Sequence, residues 1–586
     1  MDFSLEKLKS KNVFVAIIFA LTIFIKCVLF HYFCFGYIAV SSLWTAPRSF
    51  FEFYITKAVF ACFLASFVFL SKKNIWTIVV SLIIDIWIIA NYIYFRANGL
   101  FLNIDMIFIA DNLSGFWSSI LAYLNWKVFV FLFISLLYSF FLLYRRATCE
   151  RSLVKFFSCL VLSILIYCTD VLLYDGALFG SPDLRVKHVK EMAEGKTCVT
   201  FSYYVESSSI LHLVPAIAIF HVEKSAYLKE ANKNIVFSSR EKDLLSNMIS
   251  GDKNNINPTT NLCLILFESL ESWPMFISDK NGMEILPNLN RLSQLNHILF
   301  CNRVKSQAKY GSSGDGQMIV NSGMLPILSG VACMLYNTQS YPNFAGFYNN
   351  SVCVNPASNN VWCQCEMNRC YEYKKHVIPD MDRDFIVTDE YVMKRGYEQF
   401  LSAEEPFVVQ IITISSHPPF AGVPESLNMQ EDMPSQLKTY LNSIHYADSC
   451  IGDFLQKIEQ DSFLKNTTIV ITGDHTVFKS SMLQDFRPFA EKYNYPIPAD
   501  MSYCPLIVYS PTINDRVEVN ELCYQMDIFP TILHCIGADD YYWKGFGVNL
   551  LDSVARNKRT FTEDEAYMLS DKMIRSDYFR QYEKKQ

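Results

Sequence analysis

Four short stretches of this sequence combine residue types able to do chemistry. Glu268 follows the apolar run Asn261–Phe267 (NLCLILF). Ser415-Ser416-His417 follow FVVQIITI, which starts at Phe407. Gly473-Asp474-His475 follow TIVIT at Thr468–Thr472. The fourth stretch, from Lys309 to Gln317, reads KYGSSGDGQ and precedes the helix-like MIVNSGMLP. A carboxylate from one segment and an Asp-His pair from another make an oxygen and nitrogen donor set suited to a divalent ion such as Mn, Zn or Mg. A serine in a glycine-rich turn that opens a helix can offer its hydroxyl to such an ion. The helix N-terminus there also favours a phosphate.

Those residues need a scaffold that brings them together. Short continuous apolar runs are the pattern of strands buried on both faces. Pro505–Tyr509 (PLIVY) is a further run, and helical patterns at Ser435–Gln456 and Gln525–Ile536 fall between or after them. Strands alternating with helices predict an α/β domain with a mostly parallel central sheet over residues 261–555. In open parallel sheets, sites form beyond the carboxyl ends of the strands. Glu268, His417, Asp474 and His475 all occupy such positions.

The rest of the composition belongs to a different environment. Of 586 residues, 51% are hydrophobic and only 18% charged, and the mean hydropathy is +0.17. A soluble chain carries about 25% charged residues. The net charge of −6 argues against a nucleic-acid binder. Aromatic residues at 15% exclude a disordered chain. The apolar excess lies in five runs before residue 175: Val13–Phe33, Phe51–Leu70, Ile75–Phe95, Val128–Leu143 and Phe156–Tyr174. They reach or approach the ~20 residues of a membrane-crossing helix.

Lys7, Lys9 and Lys11 precede the first run, Lys72 and Lys73 separate the second from the third, and Arg145, Arg146, Arg151 and Lys155 separate the fourth from the fifth. With five spans these basic groups share one side, which the positive-inside rule makes cytoplasmic. Everything after Tyr174 is then outside. Residues 97–126, broken by Asp105, Asp111 and Gly115, are expected to form an interfacial or re-entrant segment on the outer face. Lys26 and Asp85 are expected to snorkel or to pair between helices.

Residues 1–175 are thus expected to form a five-span helical bundle and residues 176–260 a juxtamembrane connector. The connector holds an apolar, Pro215-containing stretch at Ser208–Phe220 and an amphipathic helix at Ser238–Ile249. Residues 556–586 are read as a charged, peripheral tail. Of 18 cysteines, Cys353, Cys363, Cys365 and Cys370 crowd one stretch and are disulfide candidates, with zinc binding as the alternative. Cys263 and Cys535 lie in apolar runs and read as buried thiols.

Together the motifs resemble the alkaline phosphatase and sulfatase superfamily, and within it the membrane phosphoglycerol transferases of the lipoteichoic acid synthase type, with phosphoethanolamine transferases as close cousins. NLCLILFESLES resembles the family's first strand with its metal-binding Glu, here Glu268. ITGDHT resembles its Gly-Asp-His, here Asp474 and His475. TISSHPPF resembles the loop whose His contacts the substrate phosphate, here His417. GSSGDGQ resembles the nucleophile turn, in which a Thr or Ser stands two before an Asp, here Ser313 and Asp315. Ser312 stays open as a rival nucleophile, because Ser313 is followed by Gly314. YQMDIFPTIL and KGFGVNLL resemble downstream scaffold segments.

The resemblance implies one divalent ion, Mn or Zn with Mg also possible, held by Glu268, Ser313, Asp474 and His475. Ser313 would be the nucleophile and would carry the headgroup covalently, with His417 as catalytic and substrate-binding residue. Trp362, Asp315 and Gln364 fall at other substrate-binding positions; the family often has an Arg where Gln364 stands. The implied reaction moves a phosphoglycerol or phosphoethanolamine headgroup from a membrane phospholipid donor to an envelope glycan or glycolipid acceptor. The implied location is the bacterial plasma (inner) membrane, with the catalytic domain extracytoplasmic and no nucleic-acid partner. A phosphodiesterase or sulfuric-ester hydrolase of the same superfamily is the alternative, and a non-catalytic lipid- or glycan-binding membrane protein a further one. The Cys-x-Pro-x-Arg signature of true sulfatases is absent.

Overall fold

The computed structural model describes residues 11–35, 47–70, 75–98, 124–145, 151–174, 235–248 and 256–583, apart from 310–311, 329, 357–360, 380–386, 419, 421 and 479. The main boundary between two compact units falls at Ala231–Asn232. The outer-face segment and the Ser208–Phe220 stretch lie largely or wholly outside the described residues.

In the N-terminal unit the described helices are Lys11–Phe35, Pro47–Ser66, Ile75–Asn98, Trp126–Arg145 and Leu153–Tyr174. Three of them contain stretches long and apolar enough to cross a membrane: Val13–Cys34, Ile75–Ile93 and Trp126–Tyr144. Lys57–Leu70 and Leu153–Ile166 are shorter apolar helical stretches. Lys26 does not snorkel. Its Nζ lies 2.6 Å from Asp85 Oδ1, with both side chains fully buried. It also donates to Ser135 Oγ at 2.6 Å and Ser81 Oγ at 2.7 Å. Three helices are tied together by one polar cluster, because an apolar interior leaves a charge no other partner.

Among the described residues, the C-terminal unit is built on one nine-stranded sheet. Its strands are β1 (Asn261–Phe267), β2 (Ile298–Lys305), β3 (Asn350–Val354), β4 (Lys375–Val377), β5 (Phe407–Ile412), β6 (Thr467–Gly473), β7 (Cys504–Tyr509), β8 (Val517–Val519) and β9 (Cys523–Tyr524). The order is β4-β3-β5-β1-β6-β7-β2-β8, with β9 also pairing β2. Only β7 runs antiparallel to its neighbours, β6 and β2. β1 lies between two parallel partners, with Leu266 opposite Ile412 on one side and Thr472 on the other. The exits of β1, β5 and β6 therefore open at one edge.

Both faces of the sheet are covered. Leu262, Leu264 and Leu266 of β1 join one buried cluster, and Cys263, Ile265 and Phe267 join another. That alternation is the strand period of two applied to a run that is apolar throughout. Helix Ser313–Ser322 contributes to the first cluster, and helix Ser435–Gln460 to the second.

Three expectations need correction. The segment after residue 555 is not a peripheral tail. Helices Glu563–Arg575 and Tyr578–Glu583 pack Leu569, Met573, Ile574 and Phe579 into the first cluster. Each such side chain contributes roughly 1.5–3 kcal/mol by leaving water, which outweighs the charge on the opposite helix face. The connector helix, Ser239–Met248, likewise buries Leu245 and Met248 in that cluster, and Lys572 reaches its Glu241 at 2.7 Å. Ser238 caps it as expected, accepting from Glu241 N at 3.2 Å.

The third correction concerns the cysteines. Cys353, Cys363, Cys365 and Cys370 are all free thiols. Cys353 sits inside β3 and accepts from Gln410 Nε2 at 3.3 Å. Cys363 Sγ faces Met334 Sδ at 3.5 Å, and Cys370 Sγ donates to Asn337 O at 3.2 Å. Strand and helix geometry aim them at different neighbours. Cys263 and Cys535 are fully buried, as their apolar context predicts.

Candidate metal and nucleophile centre

Glu268 is the first residue after β1, and Asp474 and His475 are the first two after β6. Because β1 and β6 are paired in parallel register, their ends deliver these side chains to one place. Glu268, Asp474 and His475 each offer a ligand atom, all within 4.8 Å of one another. The two carboxylates are almost fully buried, at 3% and 1% exposure.

Helix Ser313–Ser322 points its N-terminus at this cluster. Ser313 Oγ donates to Glu268 Oε2 at 3.0 Å and lies 3.2 Å from His475 Nε2. Ser312, the rival, is the N-cap residue with φ 41° and makes no side-chain cap bond. The hydroxyl that meets the carboxylate and the imidazole is that of Ser313.

The tautomer of His475 follows from its neighbours. Nδ1 lies 3.2 Å from Thr476 O, and a carbonyl can only accept, so Nδ1 carries the proton. Nε2 then keeps its lone pair toward the cluster, as a ligating imidazole requires. His417 has the same arrangement, with Nδ1 2.7 Å from Pro418 O.

The residues fit a divalent cation. Asp474 Oδ1 is held by two backbone donors, Ser269 N at 2.8 Å and His475 N at 2.8 Å. Its buried Oδ2 has no hydrogen-bond partner among the described residues. An unsatisfied carboxylate oxygen facing a second carboxylate and an imidazole lone pair needs a positive charge. The electrostatics of the buried carboxylates agree. Burial and the neighbouring charge of Glu268 push the Asp474 carboxyl up to about 7. Burial also acts to raise Glu268, yet the charge of the nearby His417 and His475 rings and the Ser269 hydroxyl hold it below the usual carboxylate range.

Not every candidate residue faces this centre. Asp315 is 1% exposed, and its Oδ2 accepts from Lys309 N at 2.9 Å. It holds the nucleophile turn closed. Gln364 is 4% exposed and donates to Gln317 Oε1 at 2.8 Å and Asn368 Oδ1 at 2.9 Å. It locks its helix onto the nucleophile helix. Trp362 is half-buried, with φ 54°, and the next residue, Cys363, has φ 49°. Two successive non-glycine residues in the left-handed region is costly backbone, and such strain collects at functional sites. The Trp362 ring and Cβ lie 3.5–3.6 Å from where a Cβ on Gly314 would be, beside the nucleophile.

Several supporting residues were not foreseen. Ser269 Oγ donates to Glu268 Oε1 at 2.7 Å, and Ser416 Oγ to the Glu268 carbonyl at 2.6 Å. Glu271 is fully buried and accepts from Val477 N and Phe478 N at 3.0 and 2.8 Å. It thereby pins the loop that leaves His475. Its only signal in the sequence was its place in Glu-Ser-Leu-Glu-Ser at 268–272, three residues past Glu268 at the exit of β1.

Residues 1–177 match the family model described as the lipoteichoic acid synthase N-terminal domain, and residues 330–538 match the sulfatase family model. The second match includes His417, Asp474 and His475 and begins after Glu268 and Ser313. Among curated relatives, the lipoteichoic acid synthase-like protein YvgJ of Bacillus subtilis (strain 168) is 22% identical over 534 residues, covering 85% of this chain and 82% of its own. The lipoteichoic acid synthase of Staphylococcus saprophyticus is 22% identical over 538 residues, covering 85% and 79%. Among solved structures, the integral membrane lipooligosaccharide phosphoethanolamine transferase A of Neisseria meningitidis superposes over 91% of this chain and 97% of its own, at a TM-score of 0.50 and 15% identity. That likeness extends the fold correspondence through both units. The chain is thus similar in sequence to lipoteichoic acid synthases over 85% of its length, with a sulfatase-family match after the apolar helices.

Proposed function

We propose that this lipoteichoic acid synthase-like chain is an integral membrane transferase. It moves a phosphoglycerol or phosphoethanolamine headgroup from a membrane phospholipid to an envelope glycan or glycolipid, through a covalent intermediate on Ser313. The observation that carries the reading is the meeting of Ser313 Oγ with Glu268 and His475, at 3.0 and 3.2 Å, beside the partnerless Asp474 oxygen. Curated relatives named lipoteichoic acid synthase-like and lipoteichoic acid synthase support this substrate class.

Glu268, Asp474, His475 and Ser313 would hold one divalent ion, Mn, Zn or Mg. Bound there, such an ion lowers the pKa of a coordinated hydroxyl and draws charge from phosphoryl oxygens. Ser313 Oγ gives up its proton and attacks the phosphorus of the donor's phosphodiester. A Ser313–phosphate bond forms, the bond to the diacylglycerol oxygen breaks, and that oxygen takes up a proton. His417, whose Nδ1 is committed to Pro418 O, offers Nε2 to the phosphate or to this proton transfer. In the second step the acceptor hydroxyl loses its proton and displaces Ser313 Oγ, which regains a proton as the acceptor leaves with the headgroup.

Five spans, with the first segment cytoplasmic and the catalytic domain outside the plasma membrane, accord with this chemistry. The anchor keeps the nucleophile near a donor that never leaves the bilayer. Product analysis tests the reaction class. With donor lipid alone, a transferase should release about one equivalent of diacylglycerol per protein and then stall, and a glycan or glycolipid acceptor should restore turnover. Sustained release of free phosphoglycerol or phosphoethanolamine without acceptor would make the chain a hydrolase.

A further inference from the structure

The metal loop and the nucleophile turn are joined beneath the site by two buried glutamines. Gln525 is fully buried and Gln307 is 1% exposed. Gln525 Nε2 donates to the backbone carbonyl of Asp474 at 2.6 Å. Gln525 Oε1 in turn accepts from Gln307 N at 3.0 Å, and Gln307 Oε1 accepts from Met526 N at 2.9 Å. Gln307 stands on the strand-to-turn segment that leads into Ser313. Two amides therefore span from the peptide of a metal ligand to the chain carrying the nucleophile.

The C-terminal helix closes the network from outside. Tyr567 OH donates to the Gln307 carbonyl at 2.6 Å, and Gln307 Nε2 donates to Glu563 Oε1 at 3.2 Å. Lys305 Nζ meets the other oxygen of Glu563 at 2.6 Å. Lys309 Nζ lies 3.7 Å from the centroid of the Tyr567 ring, a cation over an aromatic face. Lys305, Gln307 and Lys309, which alternate along the approach to the nucleophile, are all gripped by one helix. Buried amides need partners wherever they lie. What sets this pair apart is that its terminal acceptor belongs to Asp474 itself, and that the same Asp474 carbonyl touches the nucleophile helix at Gly316, where a Cβ would sit 2.1 Å away.

We propose that Gln525 and Gln307 are positioning residues for the metal and nucleophile centre, with Tyr567 and Glu563 of the C-terminal helix locking them in place. This rests on the reading of Glu268, Asp474 and His475 as metal ligands. Partners one bond away from the ligands commonly cost about 10–100-fold in metal affinity or activity when removed.

The test uses the full chain in detergent and calorimetric titration with Mn²⁺. Gln525→Met keeps bulk but deletes both polar ends, and is expected to weaken Mn²⁺ binding by about tenfold or more. Tyr567→Phe deletes one hydroxyl and keeps the ring under Lys309, and its affinity should move in the same direction by less. Ser570→Ala is the control for general destabilisation. It removes a buried bond to Leu325 O, at 2.6 Å on the same helix, without touching the network, and should leave Mn²⁺ affinity unchanged. Wild-type affinity in Gln525→Met, or an equal loss in Ser570→Ala, would overturn the proposal. An unchanged Tyr567→Phe would remove the C-terminal helix from it. The titration needs neither donor nor acceptor, so a chain that binds Mn²⁺ but transfers no headgroup would sink the proposed function and leave this inference intact. A wild-type chain that binds no divalent ion would contradict both.

Discussion

Gly316 of the nucleophile helix lies against the backbone of Asp474 so closely that a Cβ at position 316 would stand 2.1 Å from the Asp474 carbonyl oxygen. No side chain fits there without moving one backbone past the other. The contact fixes the distance between the hydroxyl of Ser313, one turn earlier, and the carboxylate of Asp474.

Gly316→Ala should therefore damage the centre out of proportion to its size. The helix must retreat from the metal loop, which separates Ser313 Oγ from Glu268 and His475. Loss of more than about a hundredfold in turnover is expected, since a misplacement near 1 Å costs on that order. The same substitution at Gly282 strains its own turn, at φ 83°, but meets no atom within 4 Å of the added Cβ, and should leave turnover intact. Equal activity in the two variants would refute the close-approach argument.

Removing the ion should expose the repulsion between Glu268 and Asp474. Free ion at a hundred times its Kd should add about 2.7 kcal/mol of stability over the chelated protein, read as a rise in thermal midpoint. The proton competes for the same carboxylate. Asp474, pushed up to about 7 without metal, must be ionised to bind, so apparent affinity should fall by roughly tenfold for each pH unit below that value. Affinity independent of pH between 5 and 8 would contradict this assignment.

Glu271 makes a separate prediction about pH and stability. Burial pushes its carboxyl from 4.5 up to about 7, against the pull of its bonds from Phe478, Trp273 and Val477. A carboxyl raised in the folded state binds its proton more tightly there than in the unfolded chain. Its contribution is fully present below about pH 4.5 and is lost as pH rises through about 7. Glu271→Gln lacks this dependence. The wild-type advantage over the variant should shrink by on the order of 3 kcal/mol between pH 4.5 and 8. Parallel stability curves for the two proteins would show that burial does not govern this group.

Deleting residues 559–586 should be severe. The cut removes Phe561, Leu569, Met573 and Phe579 from the core and breaks the Arg559 pair with buried Asp527, at 2.6 and 2.8 Å. Four large apolar side chains alone account for roughly 6–12 kcal/mol, comparable to the whole stability of a domain. The truncated chain should fail to give a cooperative melt. A folded, metal-binding truncation would show these residues to be the peripheral tail that their charge suggests.

The contrast between those residues and the site shows what the sequence carries. β1 was legible to the residue, because NLCLILF is apolar on both faces and ends on a carboxylate. Glu268, Asp474 and His475 stood out because carboxylates and a histidine follow predicted strands, whereas Ser313 was preferred to Ser312 only through the resemblance of GSSGDGQ to a nucleophile turn. β2 was not, because Asn302 and Arg303 interrupt it at an irregularity in its pairing with β7. β8 and β9 are three and two residues long, too short for any periodicity. The C-terminal helices were misread because composition records the charges and hides their confinement to one face. Gln307 and Gln525 were invisible: a glutamine announces nothing until its partners, 218 residues apart, are in place.

The most direct test of the whole account is the covalent half-reaction. The detergent-purified chain and its Ser313→Ala and Ser312→Ala variants would be incubated with phosphatidylglycerol or phosphatidylethanolamine and Mn²⁺ or Zn²⁺. Peptides covering Lys309–Met318 would then be weighed. A phosphoglycerol or phosphoethanolamine mass on Ser313, kept in Ser312→Ala and lost in Ser313→Ala, is the predicted result and names the headgroup. An adduct on Ser312, or none with either lipid in a protein shown to hold its metal, would contradict it.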